Sequence, residues 1–493
     1  MTNSSNWNFA GRLVARLGPN SQLIDAATRR TLAAADLQRS IAGFGASLLS
    51  SGLKQGDHVL LGCNLSVSGA VAYLGTMYAG LVAVPVDERT LATSAGKLIT
   101  ATGARAVWTE TGCVSDCDGV IDLQGDLANA SSLIAPPASC EPCDLAALMA
   151  TSGSTGIPRF VMVSHENLIA NTEAVIRSQH LGADERAMLV LPLSYCFGAS
   201  LLHSHLYKGG SVVLDRRFMF PDKVLRSVAE FACTTFAGVP TVYNVLLRRS
   251  NLRKMDFPNL RRFLQAGGAL ASERIDEMRA TFPGVGFYVM YGQTEATARI
   301  SCLAPNSWEK KHGSVGRPLD NLTVSIVDEE GNALGPEEIG ELLVKGPSIC
   351  GGYWNDPEES SRVFGNGWLH TGDLARQDPD GYLWIEGRKG AFLKVRGTRV
   401  SLAEIEGRVA ALPGVFECGA CATDHHEAGD ALMLMVVAEP EARIDAEEIR
   451  RSLPAHWTVD SIRLVSELPK TATGKLVRSS LLDWARNGHA AIG

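Results

Sequence analysis

Positive charge is not in excess in this chain. Lys and Arg number 46 against 53 Asp and Glu, a formal net charge of −7. A nucleic-acid-binding domain needs a basic face, and no basic cluster supplies one here, so nucleic acid is not an expected partner. The opening MTNSSNWNFAGR lacks the charged and then apolar order of a secretory signal. Long apolar runs are scarce too. Leu60 to Val86 carries no charge, yet Asn64, Ser66, Gly69, Gly75, Gly80 and Pro85 interrupt it. The segment reads as a buried strand (His58–Cys63), a helix (Ser66–Tyr78) and a second buried strand (Leu81–Val86), because strands of parallel sheets are apolar on both faces. No membrane span is therefore expected. Internal repeats and low-complexity tracts are absent. Cysteines number 11, an odd count scattered along the chain. That pattern points to reduced thiols and a cytoplasmic location. Cys113, Cys117, Cys140 and Cys143 could form a thiolate zinc site, but unconnected small apolar residues are the favoured reading. Cys418 and Cys421 lie in a strand-like run, which favours packing over redox chemistry.

The chain has 493 residues, too many for one core, so several domains are expected. Residues 30–55 read as a helix. From His58 to about Asp122, strand and helix patterns alternate, which predicts a parallel α/β layer. Residues 123–143 are weakly patterned and read as a connecting loop. The alternation resumes afterwards, with strands expected near Met188–Pro192, Ser211–Leu214, Thr234–Val239, Phe263–Ala266 and Gly286–Met290. From Gly313 to Gly387 short alternating strands predict a β-rich subdomain. A compact α+β pattern follows to the end. The fold class is thus α/β, with a large N-terminal domain (1–387) and a small α+β domain (388–493), which a hinge at the Gly-flanked basic turn Gly387-Arg388-Lys389-Gly390 would leave mobile.

Between two apolar runs, Leu145–Ala150 and Phe160–Val163, lies TSGSTGIPR, Thr151 to Arg159. It reads as strand, tight loop, strand. Glycines let backbone N–H groups approach a ligand closely and hydroxyls add donors, which suits a polyphosphate. The loop is not the P-loop that precedes a helix. Taken alone it also fits a surface linker. Further pieces fall at the carboxyl ends of expected strands, where open α/β sheets bind ligands. They are Ser194–Gly198, Gln265-Ala266-Gly267-Gly268 and Tyr291-Gly292-Gln293-Thr294-Glu295.

TSGSTGIPR, YGQTEA, GWLHTGDL, GRKGAFLKVRG and PKTATGK occur in that order. Together they resemble the adenylate-forming enzymes, a family that includes acyl- and aryl-CoA synthetases, luciferases and the adenylation domains of peptide synthetases. The resemblance runs from about residue 30 to Leu482. It implies that a carboxylate attacks the α-phosphorus of ATP, expels pyrophosphate and leaves an acyl-adenylate, which a thiol then converts to a thioester. Two anions meet in the first step, so cations and donors must face the phosphorus oxygens.

By that resemblance, Thr151, Ser152, Ser154, Thr155 and Gly156 cradle the β- and γ-phosphates, with Arg159 beside them. Thr294 touches the α-phosphate, and Glu295 is the metal ligand for Mg²⁺. Tyr291 stacks on adenine near Gly292 and the backbone of Gly267, Gly268 and Ala269. Asp373 takes the ribose hydroxyls, assisted by Arg388. Lys475 contacts both the carboxylate and the α-phosphate. Gly397 faces the tunnel for the pantetheine arm. The acid pocket is lined by Tyr195, Phe197, Gly198, Val239 and Gln265, with Gly267 and Gly292. His370, His203 and His205 are assigned packing or solvent roles.

Three departures from the family pattern stand out. The phosphate loop ends in Pro158-Arg159-Phe160, where Pro-Lys-Gly is usual, and Arg is a planar fork rather than a point charge. The hinge position is Gly390 in place of Asp or Lys. Phe197-Gly198 replaces the Phe-Asp of amino-acid-activating members, and an unpaired substrate ammonium would be costly there. The two rings then imply an uncharged acyl or aryl acid as the small-molecule substrate. The expected reaction is ATP- and Mg²⁺-dependent acid–thiol ligation to coenzyme A or to the phosphopantetheine of a separate carrier protein. A freestanding amino-acid adenylating enzyme and a non-catalytic nucleotide-binding scaffold remain the alternatives.

Overall fold

The computed structural model describes all but residues 1–5, 113–119, 126–134, 152–157, 390–391, 396–397, 426–428, 440–441, 455–456, 458, 471–475 and 488–493. Four sheets carry the described chain. The first has six strands in the spatial order Ile121–Gln124, Ala106–Thr109, His58–Gly62, Val82–Val86, Leu145–Ala150 and Phe160–Ser164. All neighbours are parallel except the last pair, which is an antiparallel hairpin. Every residue of His58–Gly62 and Val82–Val86 is buried, as is every residue of the helix Val67–Tyr78 between them. Ser66 caps that helix by accepting from Gly69 N–H. The uncharged segment is thus a buried strand–helix–strand unit, and no helix among the described residues is long and apolar enough to cross a membrane.

The nine-stranded sheet has a parallel centre: Gly286–Tyr291, Arg262–Gln265, Thr235–Gly238, Arg186–Leu189, Ser211–Leu214 and Gln22–Asp25. Antiparallel strands close both ends, Thr31–Ala33 at one and Ser301–Leu303 with Arg317–Pro318 at the other. A third, antiparallel sheet joins Thr323–Val327, Gly340–Lys345, Leu369–Gln377 and Leu383–Arg388. The last sheet belongs to the small C-terminal domain, where Gly429–Ala438 is flanked by Val415–His425 and Val459–Leu464.

Three local expectations need correction. Residues 30–55 are not one helix: Thr31–Ala33 is a strand and the helix begins at Ala34. Pairing with Gln22–Asp25 across a turn at Arg29 (φ 63°) outweighs helical propensity there. Within the weakly patterned stretch after Asp122, the strand Ile121–Gln124 adds an edge to the six-stranded sheet. The alternation also predicts a helix near Ser94–Thr102; it is the second limb of a helix that starts at Glu88, where the Asp87 carboxylate accepts from Arg89 and Thr90 N–H, and that is kinked at Ser94 (φ −142°).

An ionic cluster joins the two domains. Glu277 of the large domain receives Arg248 through two bonds of 2.5 and 2.6 Å. Arg248 also pairs with Glu439 of the small domain, and Arg274 reaches Glu439 at 3.2 Å and Val415 O at 3.0 Å. Arg249 lies 4.0 Å over the Phe416 ring.

Candidate active site

The parallel strands of the nine-stranded sheet end on one rim. Past Gly238 lies Val239, past Gln265 the turn Gly267-Gly268, and Tyr291 leads into Gly292–Glu295. Tyr195 stands at the N-terminus of the helix Cys196–Tyr207. Its hydroxyl occupies the space a side chain at Gly267 would need, 2.4 Å from an ideal Cβ there, and Val239 Cγ1 is 3.0 Å from the same point. Gly267 adopts φ +86°, which only glycine takes without strain. Tyr195 and Phe197 meet edge to face at 6.4 Å. Gln265 Nε2 donates to Gly268 O at 2.7 Å and so holds the turn. Ala269 follows as an exposed residue. Tyr195, Phe197, Val239, Gln265 and Gly267 are therefore neighbours.

Gly198 is different. A Cβ there would fall 2.3 Å from Pro192 O and 2.9 Å from Leu191 O. The missing side chain faces backbone, so this glycine answers the close packing of its helix on the Leu191-Pro192 connection.

Tyr291 and Asp373 come together across two sheets. The Tyr291 hydroxyl donates to Asp373 Oδ2 at 2.6 Å, and Arg388 Nε donates to Asp373 Oδ1 at 3.0 Å. Asp373 is buried. Its charge holds the Arg388 pKa above the ordinary value, while burial and the same carboxylate push the Tyr291 phenol well up. Asp373 N–H bonds Thr371 Oγ1, and Thr371 bonds Leu342 O, which fixes the carboxylate on its strand.

The second half of the site gathers around Glu295. Tyr353 donates its hydroxyl to Glu295 Oε1 at 2.8 Å, and Cys350 N–H donates to Glu295 O at 2.9 Å. Residues 350–354 run beside the strand Phe160–Ser164, with Met162 N–H bonded to Gly352 O and Trp354 N–H to Phe160 O. Glu295 is thereby tied to the strand that leaves the Gly/Ser/Thr loop. Thr151 N–H donates to Arg159 O at 2.8 Å and closes the neck of that loop. The Arg159 guanidinium is engaged with Glu359 at 2.9 Å and Asp356 at 3.2 Å, 5.8 Å over Tyr353. Thr294 Oγ1 donates to Cys196 Sγ at 3.5 Å. Gly292 packs against the backbone of Ala298 and Arg299. Ser152, Ser154, Thr155, Gly156, Gly390, Gly397 and Lys475 lie outside the described residues, as do Cys113 and Cys117.

His203 and His205 are buried. Phe9 and Tyr73 pack on His203, and His205 Nδ1 lies 3.0 Å from Leu201 O. His370 Nδ1 lies 3.6 Å from Glu341 Oε1. Cys418 and Cys421 are free thiols, and burial pushes both upward in pKa.

Several residues of the site carry no signal in the sequence. Tyr353 and Glu359 lie outside every motif and reach the site through the sheet edge. Arg299 follows the YGQTEA motif closely, but nothing in one dimension tells that its guanidinium turns inward. It is 1% exposed and lies 4.8 Å over the Phe197 ring.

Comparison with known proteins agrees with this fold. The model of the AMP-binding enzyme family matches residues 14–354, and that of the AMP-binding enzyme C-terminal domain matches 404–475. A feruloyl-CoA synthase from an Amycolatopsis species is 31% identical over 470 residues, 91% of this chain and 92% of that protein. The ATP-bound structure of MatB from Rhodopseudomonas palustris superposes with a TM-score of 0.88 at 27% identity, covering 98% of this chain and 99% of that one. A benzoate CoA ligase from Burkholderia xenovorans LB400 gives 0.86 at 26%, covering 97% and 99%. With the family model spanning most of the chain and a relative above 30% identity along nearly all of it, this protein belongs to the AMP-binding, adenylate-forming enzyme family.

Proposed function

We propose that the protein is an AMP-forming acid–thiol ligase, which activates a carboxylic acid with ATP as an acyl-adenylate and then passes the acyl group to a thiol. The observation that carries this reading is the Tyr291–Asp373–Arg388 group standing beside the Thr294-Glu295 turn, at the carboxyl ends of the parallel strands. A carboxylate on both ribose hydroxyls and an aromatic face on the base would hold the nucleotide. The relatives named as CoA ligases support coenzyme A as the acceptor. A phosphopantetheine arm on a separate carrier protein is the finer alternative, with Gly397 on its path.

Domain and residue roles follow the same reading. Residues 1–387 bind ATP and acid, and 388–493 deliver Lys475. Thr151, Ser152, Ser154, Thr155 and Gly156 hold the β- and γ-phosphates, and Thr294 the α-phosphate. Gly267, Gly268, Ala269 and Gly292 border the base. Tyr195, Phe197, Val239 and Gln265 line the acid pocket. Arg159 takes part in phosphate binding only by giving up Glu359 and Asp356, so its grip is weaker than that of a free lysine. Glu295 fits Mg²⁺, since it offers a carboxylate oriented by Tyr353, the hard oxygen donor that ion prefers. Bound there, the ion would neutralise phosphate charge.

The direct test is ATP- and Mg²⁺-dependent pyrophosphate release with hydroxylamine as trap, across fatty acids, benzoates, cinnamates, hydroxy acids, dicarboxylates and amino acids. The expected result is release stimulated by one class of acid, followed by AMP formation and thiol consumption when coenzyme A is added. If no acid stimulates release, the reading falls.

Asp373→Asn is a second test. The neutral amide loses charge-assisted bonds to the ribose and to Arg388. KM for ATP should rise about 10- to 100-fold with little change in melting temperature. An unchanged KM would remove Asp373 from the nucleotide site.

A further inference from the structure

One buried cation beside the proposed acid pocket has no anionic partner among the described residues. Arg299 is 1% exposed, and its Nε atom finds no hydrogen-bond acceptor. The ionisable groups near enough to act on it are Cys302, Cys196 and Tyr195, and no carboxylate stands among these described residues. The other two buried arginines among the described residues have an anion or a carbonyl: Arg262 pairs with Glu185, and Arg274 with Glu277, Glu439 and Val415 O. A guanidinium without a counter-ion is costly to bury and persists only where the surrounding structure compels it.

The structure around Arg299 does compel it. Two non-glycine residues before it sit in the left-handed region, Thr297 at φ 55° and Ala298 at φ 100°. Such backbone is unfavourable for residues with a Cβ and clusters at functional sites. Three bonds pin it. Thr297 Oγ1 donates to Ser348 O at 2.7 Å, and the buried Asn171 amide donates to Ala296 O at 3.3 Å and Arg299 O at 2.9 Å. Ile300 N–H then returns to Tyr291 O. The turn that begins at Thr294-Glu295 is thus bent so that Arg299 faces Phe197 and Tyr195, the two rings of the acid pocket.

We propose that Arg299 receives a second, non-reacting carboxylate of the substrate, so that the acid activated is a dicarboxylic acid. This rests on the acid-activating reading above and replaces the uncharged substrate that the two rings alone imply. A planar fork with an unsatisfied Nε donor is a side chain suited to a carboxylate, and the acid's far end would supply the missing counter-charge. The near carboxylate remains the one that meets ATP at Thr294.

The experiment compares matched pairs of aliphatic and aromatic acids, each dicarboxylate against the analogue with a methyl group in place of the far carboxylate. The readout is kcat/KM for pyrophosphate release, in the natural enzyme, Arg299→Met and Arg299→Lys. Binding of carboxyl-tailed and methyl-tailed acyl-sulfamoyl adenosines by calorimetry gives a readout independent of turnover. For at least one pair the natural enzyme should prefer the dianion about 10- to 100-fold. Arg299→Met should erase that ratio, and Arg299→Lys should keep part of it. Arg299→Met should melt no lower than the natural protein, because it removes an uncompensated buried charge. Equal or better use of the methyl-tailed acid in every pair would overturn the proposal while leaving acid activation standing. So would equal loss of both members of a pair in Arg299→Met, which would mark a structural role or a contact to the reacting carboxylate. If no acid releases pyrophosphate, both readings fall together.

Discussion

Lys475→Ala is expected to slow adenylation about 100- to 1,000-fold while KM for ATP changes little. The step brings a carboxylate onto a phosphate, so charge on the phosphorus oxygens builds as the anions close. A cation that touches both groups stabilises the transition state more than either ground state, and its loss therefore appears in kcat. The groups proposed to hold the nucleoside, Tyr291, Asp373 and Arg388, pair with one another. The chain on either side of Lys475 is held: Lys470 and Leu476 bridge in antiparallel fashion, and Val477 N–H bonds Pro469 O at 2.9 Å. Lys470 is also paired with Glu417. The substitution should therefore leave the fold intact. Single-turnover pyrophosphate release with saturating acid and ATP measures the effect. Lys475→Arg should recover only part of the rate, since a planar fork does not reproduce a point charge. Adenylation at the natural rate in Lys475→Ala would remove this residue from the reaction.

Acidification from pH 7.5 to 5 should destabilise the large domain by several kcal/mol, through three buried imidazoles. Burial depresses His203 to about 3, and His165 and His205 to about 4, from an ordinary 6.5. Their packing explains the direction. His203 lies between Phe9 and Tyr73, and His165 Nδ1 accepts from Phe9 N–H at 3.1 Å. The Nε2 atoms of all three lack partners. Because the folded pKa is below the unfolded one, the unfolded chain binds more protons between the two values. Stability is full above about 6.5 and is lost as pH falls towards the folded pKa. At pH 5 each group costs about 2 kcal/mol, against a typical total of about 5–15 kcal/mol. Paired carboxylates such as Asp320, whose bond to Arg177 holds its pKa below the ordinary value, remain charged at pH 5 and do not share in the loss. Urea midpoints at the two pH values measure it. His203→Phe should flatten the dependence by about one group's share, and an unchanged slope in that variant would mean that His203 is not held neutral.

Much of the architecture was legible in one dimension because it rests on local rules. Leu145–Ala150 and Phe160–Ser164 announce a hairpin by two apolar runs around a Gly/Ser/Thr turn. Ser211–Leu214 has the expected bounds because it is a short apolar run between Gly209-Gly210 and the charged Asp215-Arg216-Arg217. The short strands Thr31–Ala33 and Ile121–Gln124 were not legible, since each exists only through a partner strand. Distance along the chain also hid the link between Tyr291 and Asp373, which the motif order suggests but only two converging sheets bring to 2.6 Å.

The sequence by itself determined the family, the α/β class and the types of group proposed for the nucleotide site, because motif spacing and hydrophobic period are properties of the chain. The tertiary structure alone decided how those groups are occupied and which others join them. Arg159 is engaged by Glu359 and Asp356, Gly198 is filled by the Pro192 carbonyl, and Tyr353 orients Glu295. Above all, Arg299 is turned inward over Phe197 by two left-handed residues. Burial and the absence of a counter-ion arise from the packing of distant segments, and it is these that give an ordinary arginine a specific chemical demand.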